Sequence, residues 1–468
     1  MSNKQLFFWS IGLYSTLVAV NISGNTYLLL LIWAVIALFC FRDRFLHVSL
    51  VLALPFAGVL QRSTLINQLS LSFALQGMLI AIFCMKVAIK HISLPQRPWF
   101  FLHVAFVAFL GFSALRNRYN FLAWSYTFNQ IGFLFGGLVI FHYIRTIRQV
   151  KILLKLIMLI AFCSYTIALL QWLSGGTTVI NLERKAYTYI TWNMQNKYNI
   201  YGTALDSTVF GRFMWVGWCI SLFMTRIEKG GWKILMVILL LAFAHGIYLS
   251  HSREAALAAV LAMFLYCVTQ FWIKRNKTWL LGGLITIVLS YFVAKYLFAY
   301  FKNIATYSEM LEQESRLTIW PVYFRAFTTN PLLGVGMRIF TDNISEFGFY
   351  VTEGLTGSSW LITLAEQGIL GLASFGALFL YLWWNLLGGL HARVGGELRL
   401  MVSLFLTLSI IYSISGLFTN ALDGTFFWMT FFLGYRLIEL KTIGINRNRT
   451  YATADASSLR GLSLEGSL

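Results

Sequence analysis

GWKILMVILLLAFAHGIYLSHSREAALAAVLAMFLYCVTQFWIK, residues 231–274, consists of two long apolar runs joined by the polar stretch SHSRE at 250–254. A helix needs about 20 mostly apolar residues to cross a hydrocarbon core about 30 Å thick. The runs 232–250 and 255–273 meet that requirement, and runs like them recur from residue 6 to residue 440. The 468-residue chain is 58% hydrophobic and 11% charged, whereas soluble domains carry about 25% charged residues. No strand-length alternation accompanies the apolar runs, so helices rather than a β-barrel must satisfy the backbone. The predicted fold is an all-α polytopic membrane protein of about fourteen spans (12–14).

The predicted spans are 6–22, 26–41, 46–60, 68–85, 99–115, 123–143, 152–174, 207–225, 232–250, 255–273, 279–298, 359–386, 400–418 and 424–440. The first is an anchor rather than a cleavable signal, because no small-residue cleavage site ends it and another span follows at once. With the N-terminus in the cytoplasm, every cytoplasmic loop is basic. These loops include Lys86, Lys90 and Arg97; Arg145, Arg148 and Lys151; Arg226, Lys229 and Lys233; and Lys274, Arg275 and Lys277. That is the positive-inside pattern. It accounts for the formal charge of +19 without a nucleic-acid partner and places both termini inside. Five segments follow: an N-terminal bundle (1–200), the spans around SHSRE (201–298), a long outer loop with an interfacial helix (299–358), C-terminal spans (359–450) and a Ser/Ala/Gly-rich tail expected to be disordered (451–468).

Cys40, Cys84, Cys163, Cys219 and Cys267 all lie in apolar stretches without metal spacing, so no metal site is expected. No Walker loop, dinucleotide fingerprint or internal repeat is present, which argues against a nucleotide enzyme and weakens a transporter assignment.

Thirteen basic residues fall on the outer side against the topology rule, and nine are arginines: Arg62, Arg116, Arg118, Arg184, Arg212, Arg253, Arg316, Arg325 and Arg338. The guanidinium fork binds phosphate at two points and stays charged, so an outer arginine cluster suits a lipid-linked pyrophosphate. Lipid headgroup contact or simple solvation is the alternative for any one of them. Arg253 sits between two spans, where a charge needs a partner or a wet cavity; Glu254 or His251 would be a structural partner. In ESRLTIWPVYFRAFTTNPLLGVG (314–336), Arg316, Trp320, Tyr323 and Phe327 share one face of an interfacial helix, and NPLLGVG forms a tight turn. SSWLITLAEQGILGL (358–372) buries Glu366 and Gln367 in an apolar span, as a functional carboxylate or an internal ion pair. In YGTALDSTVFGRFM (201–214), Asp206 caps a span and Arg212 faces the interior.

Taken in order, SHSRE at 250–254, RLTIW at 316–320, NPLLGVG at 330–336 and LAEQGILGL at 364–372 resemble the O-antigen ligase and O-antigen polymerase (Wzy-type) superfamily, with weaker support from GTALDSTVFGRFM. The resemblance covers about residues 200–372. It implies a GT-C-like, metal-independent glycosyltransferase of a bacterial inner membrane. The active site would face the periplasm, with 299–358 as a periplasmic loop. Undecaprenyl pyrophosphate would serve as donor carrier rather than cofactor. Arg253 and Arg316 would bind and stabilise the pyrophosphate. Ligases carry His-Asn before the Glu-Gly helix, and here the histidine position is Gly357. That departure favours a polymerase or another transferase over a ligase that moves glycan to lipid A-core or another acceptor. His251, Glu366 and Glu353 are left as candidate bases. Arg212, Arg325, Arg338, Trp320 and Tyr323 are candidate pyrophosphate or glycan contacts. The expected partners are a lipid-linked oligosaccharide donor, a glycan acceptor and membrane lipids, with a chain-length regulator and a flippase alongside. A transporter or flippase for lipid-linked sugar is the alternative from a different class.

Overall fold

A computed structural model describes residues 97–173, 200, 202, 207–250, 252–286, 320–347, 358–391, 395–419 and 427–440, together with 81, 84, 87 and 288. The first four predicted spans, most of the loop 175–206, residues 299–319 and the tail lie outside the described residues. Among the described residues the regular elements are helical and no strand occurs. In chain order they are α1 (Pro98–Arg116), α2 (Phe121–Tyr143), α3 (Ile147–Leu173), α4 (Ser207–Ile227), α5 (Gly231–Leu249) and α6 (Arg253–Lys274). Then come α7 (278–286), α8 (320–329), the single turn α9 (Ile339–Asp342), α10 (Ser359–His391), α11 (Gly396–Phe418) and α12 (427–440).

Seven of these helices are long and apolar enough to cross a membrane: α1, α3, α4, α5, α6, α10 and α11. The chain is a multi-pass membrane protein. α2 spans 23 residues, but Asn129 and Gln130 at its middle lower its hydropathy. Helix boundaries follow local chemistry. Pro98 opens α1, where its missing N–H costs nothing. Asn120 caps α2 by accepting from Leu122 N at 2.9 Å and Ala123 N at 3.3 Å.

α4 is packed against α5, α6, α3 and α11, and α1 lies along α10. An aromatic core fills the space between α1, α10 and α12. In it Phe106 stacks on Phe375, Trp428 on Phe432 and Phe379 on Phe427. Ion pairs segregate to the two ends of the bundle. Arg97–Glu439, Arg436–Glu439, Lys151–Glu397 and Lys155–Glu228 occupy one end. Arg212–Glu254 and Arg338–Asp342 occupy the other. Each pair joins residues that the span alternation assigns to the same side.

The predicted span at 359–386 differs from a simple helix. At Gly368 the backbone takes φ 68° and ψ −167°, and the chain reverses. Trp360 lies against Phe375 and Phe379 with ring centroids 5.0 and 5.1 Å apart. In a straight helix residues fifteen apart would be separated by about 22 Å. α10 is therefore two antiparallel limbs, 359–367 and 369–391. A helix end leaves backbone carbonyls and amides without partners, and the stretch 331–336 supplies them. Val335 N and Gly336 N donate to the carbonyls of Ala365 and Glu366 at 2.9 and 3.0 Å. Ile369 N and Leu370 N donate to the carbonyls of Pro331 and Leu332 at 2.9 and 3.3 Å.

Candidate functional site

The stretch SHSRE is built as a turn that starts α6. Ser250 Oγ donates to Ile247 O at 2.7 Å and accepts from Ser252 N at 3.2 Å. Ser252 is the N-cap, its hydroxyl accepting from Ala255 N at 3.3 Å. Arg253 and Glu254 are thereby the first two helical residues, at the end of α6 that faces the Arg212 pair. Gly211 brings α4 against this turn. A Cβ at that position would meet Ser252 Cβ at 2.8 Å and Ala255 Cβ at 2.9 Å.

This close approach sets Arg212 on Glu254. Nε donates to Oε1 at 3.1 Å and Nη2 to Oε2 at 3.4 Å. The two side chains are 14% and 11% exposed. Two-point pairing of a guanidinium with a carboxylate fixes orientation as well as charge. Ser415 of α11 donates a further short hydrogen bond to Glu254 Oε1. The Ser415 hydroxyl lies 3.5 Å from Thr419 Oγ1. Thr419 O in turn accepts from Ser359 N at 3.2 Å and Ser359 Oγ at 3.1 Å. The polar chain thus runs from α4 through α6 and α11 to the start of α10, where Ser358 and Ser359 are buried.

The hairpin forms a second wall. Ser113 Oγ donates to Glu366 O at 2.8 Å. Arg116 donates a short hydrogen bond to Gly334 O, and with the Asn330 amide oxygen turned toward it, donates there at 3.1 Å. Asn117 Nδ2 donates to Met337 O at 3.1 Å. The turn between α1 and α2 therefore holds the NPLLGVG stretch in place.

The predicted site residues are distributed as follows. Arg253 lies at the first turn of α6 beside the Arg212–Glu254 pair. Arg316, His251, Glu353, Gly357 and Asp206, the expected cap, lie outside the described residues. Glu366 is 1% exposed at the hairpin. Tyr323 is 2% exposed and its ring lies tilted against Phe340, centroids 4.6 Å apart. Burial pushes the Tyr323 phenol well above its ordinary range, and the Glu366 carboxylate nearby adds to the shift. Half-buried Trp320 and exposed Arg325 line an open hollow of about 540 Å³ together with Pro321, Phe324 and Thr328. Arg338 pairs with Asp342 at 2.6 Å. The start of α6, Arg212 and the start of α10 come together, while Arg325 and Arg338 sit on the segment that clamps the hairpin.

Sequence reasoning proposed Glu254 as a partner for Arg253, and in the structure its carboxylate receives Arg212. It passed over Ser113, Ser415 and Thr419. The available signal was polarity inside spans, as in IYSISGLF at 411–418.

Residues 236–376 match the model of the O-antigen ligase family. The match covers under a third of the chain and supports its likeness to the O-antigen ligase and polymerase superfamily. A search of curated proteins gives no match. The matched stretch holds SHSRE, α8, the NPLLGVG turn and the Gly368 reversal. Arg212, Ser415 and Thr419 come from helices outside it. That likeness points to a glycosyltransferase-like activity in general terms.

Proposed function

We propose that the protein is a membrane glycosyltransferase that polymerises undecaprenyl-pyrophosphate-linked oligosaccharide repeat units into a surface polysaccharide at the periplasmic face of a bacterial inner membrane. The observation that carries this is the convergence, at one end of the bundle, of the α6 start bearing Arg253, the Arg212–Glu254 pair and the buried start of α10. In this mechanism the acceptor hydroxyl oxygen attacks the anomeric carbon of the donor. The bond from that carbon to the pyrophosphate breaks with its electron pair, and the hydroxyl proton passes to a base, with Glu366 and His251 as candidates. Inversion at the anomeric carbon follows from attack opposite the leaving group. Arg253 and Arg316 meet the charge growing on the pyrophosphate, a preorganised donor of this kind being worth about 10²–10³ in rate. Arg212, Arg325 and Trp320 orient the carrier and glycan, while Tyr323 and Arg338 shape the wall behind them.

A second reading is a ligase that transfers a finished glycan to a lipid or other acceptor. The description of the matched family favours it, and glycine at position 357 favours the polymerase. Purified protein supplied with synthetic lipid-linked repeat units separates the two. A ladder of products on a gel is expected for the polymerase, and transfer only to an added acceptor identifies the ligase. Arg253→Ala should slow either product by about 10²–10³. Unchanged polymer from this variant at normal protein level would sink the proposal.

A further inference from the structure

At the end of the bundle opposite the candidate site, two turns carry an unbalanced charge. Arg226, Lys229 and Lys233 surround the α4–α5 turn, and Lys274, Arg275 and Lys277 the α6–α7 turn; all six are exposed. The acid on these two turns is Glu228, which is engaged by Lys155 of α3 at 3.1 Å. The turns adjoin through one ring: Arg226 Cζ lies 5.3 Å and Lys274 Nζ 5.8 Å from the centroid of Trp279. Arg226 Nε also donates to Tyr266 OH at 3.1 Å, which fixes α4 against α6. Arg275 closes α6 in the left-handed conformation, φ 54°. A side chain other than glycine or asparagine is costly there, yet asparagine follows one residue later at 276.

The surroundings select the occupant. Trp232 and Trp272 are each 46% exposed at the same end, where tryptophan marks the membrane–water boundary. Directly below the cations, Leu280, Leu281, Leu284 and Ile285 of α7 and Ile234 and Ile238 of α5 present exposed apolar surface. A soluble polyanion would use the charges and leave this surface unmatched, whereas a phospholipid uses both. We propose that the basic surface where the α4–α5 and α6–α7 turns meet binds the phosphate headgroup of an anionic membrane phospholipid, with its acyl chains along α5 and α7.

The test uses the full-length protein, delipidated in neutral detergent and titrated with phosphatidylglycerol or phosphatidylcholine, with bound lipid read by native mass spectrometry. Each cation near a membrane surface contributes roughly fivefold in affinity, so Lys274→Gln/Arg275→Gln/Lys277→Gln should weaken phosphatidylglycerol binding about 100-fold. Phosphatidylcholine binding should not change. A second variant, Lys229→Gln/Lys233→Gln, should lose about 25-fold on the same scale. Equal retention of the two lipids by the native protein, or unchanged phosphatidylglycerol binding in both variants, overturns the proposal. So does tighter binding of a single-stranded oligonucleotide than of phosphatidylglycerol.

Discussion

Glu254 receives two nitrogens of Arg212 and the hydroxyl of Ser415 from helices on either side of its own. A carboxylate withdrawn from water this far is tolerated only when its lone pairs are met. Its partners therefore determine the geometry of the α4–α6–α11 junction. Removing one member leaves the other charge buried and unpaired, and this typically costs about 3–5 kcal/mol. Replacing both with apolar residues of similar size is often near neutral for stability. Arg212→Ala should thus lower the melting temperature in detergent markedly more than Arg212→Met/Glu254→Leu does. Polymer synthesis should be lost in both if Arg212 also orients the substrate. Equal melting temperatures for the two variants would show that the pair carries no structural strain. Polymer made by the stable double variant would remove Arg212 from the site.

Among the elements, α10 is where local sequence and packing are most tightly coupled. The hairpin exists because Gly334 and Gly368 let two backbones touch. A Cβ on Gly334 would lie 2.3 Å from the Glu366 carbonyl carbon, and one on Gly368 would lie 2.5 Å from Gly334 N. Both glycines also have φ of 68°, a region that disfavours side chains. Gly334→Ala or Gly368→Ala should therefore destabilise by about 3 kcal/mol or more, since each adds backbone strain to a clash with main chain. Gly376→Ala, which meets nothing within 4 Å, should leave the melting temperature unchanged. Here the sequence was legible only in part. The run LAEQGILGL was long and apolar, so it scored as a continuous span, and NPLLGVG stood out as a turn. Their pairing was not legible, because hydropathy carries no information about which distant backbone caps a broken helix. The same limit applies to Ser415 and Glu254, which meet from positions 161 residues apart. By contrast, spans such as 232–250 and 255–273 agree closely with Gly231–Leu249 and Arg253–Lys274, since twenty apolar residues between charges leave a helix few alternatives.

At the scale of the molecule, the two ends of the bundle formed by the described residues differ in charge as the positive-inside pattern requires. Lys151, Lys155, Arg226, Lys229, Lys274, Arg275 and Arg436 share one end, and Glu228, Glu397 and Glu439 are their acids. Arg116, Arg212, Arg253 and Arg338 share the other. Because basic loops are retained in the cytoplasm during insertion, the first end should be cytoplasmic and the Arg212–Glu254 end should face outward. Single cysteines placed in a background without the native thiols can decide this. Asn343, exposed after α9, should react with a membrane-impermeant maleimide in intact cells whose outer membrane has been permeabilised. Lys229 and Asn276, exposed on the basic turns, should react only after the inner membrane is opened. The reverse pattern would place the arginine site in the cytoplasm, and an enzyme acting on glycan displayed at the periplasmic face could not use it. Labelling of both ends in closed cells would mean that the two charged ends do not lie on opposite sides of one bilayer. The basic surface proposed to bind lipid would then lose the membrane boundary that gives it its occupant.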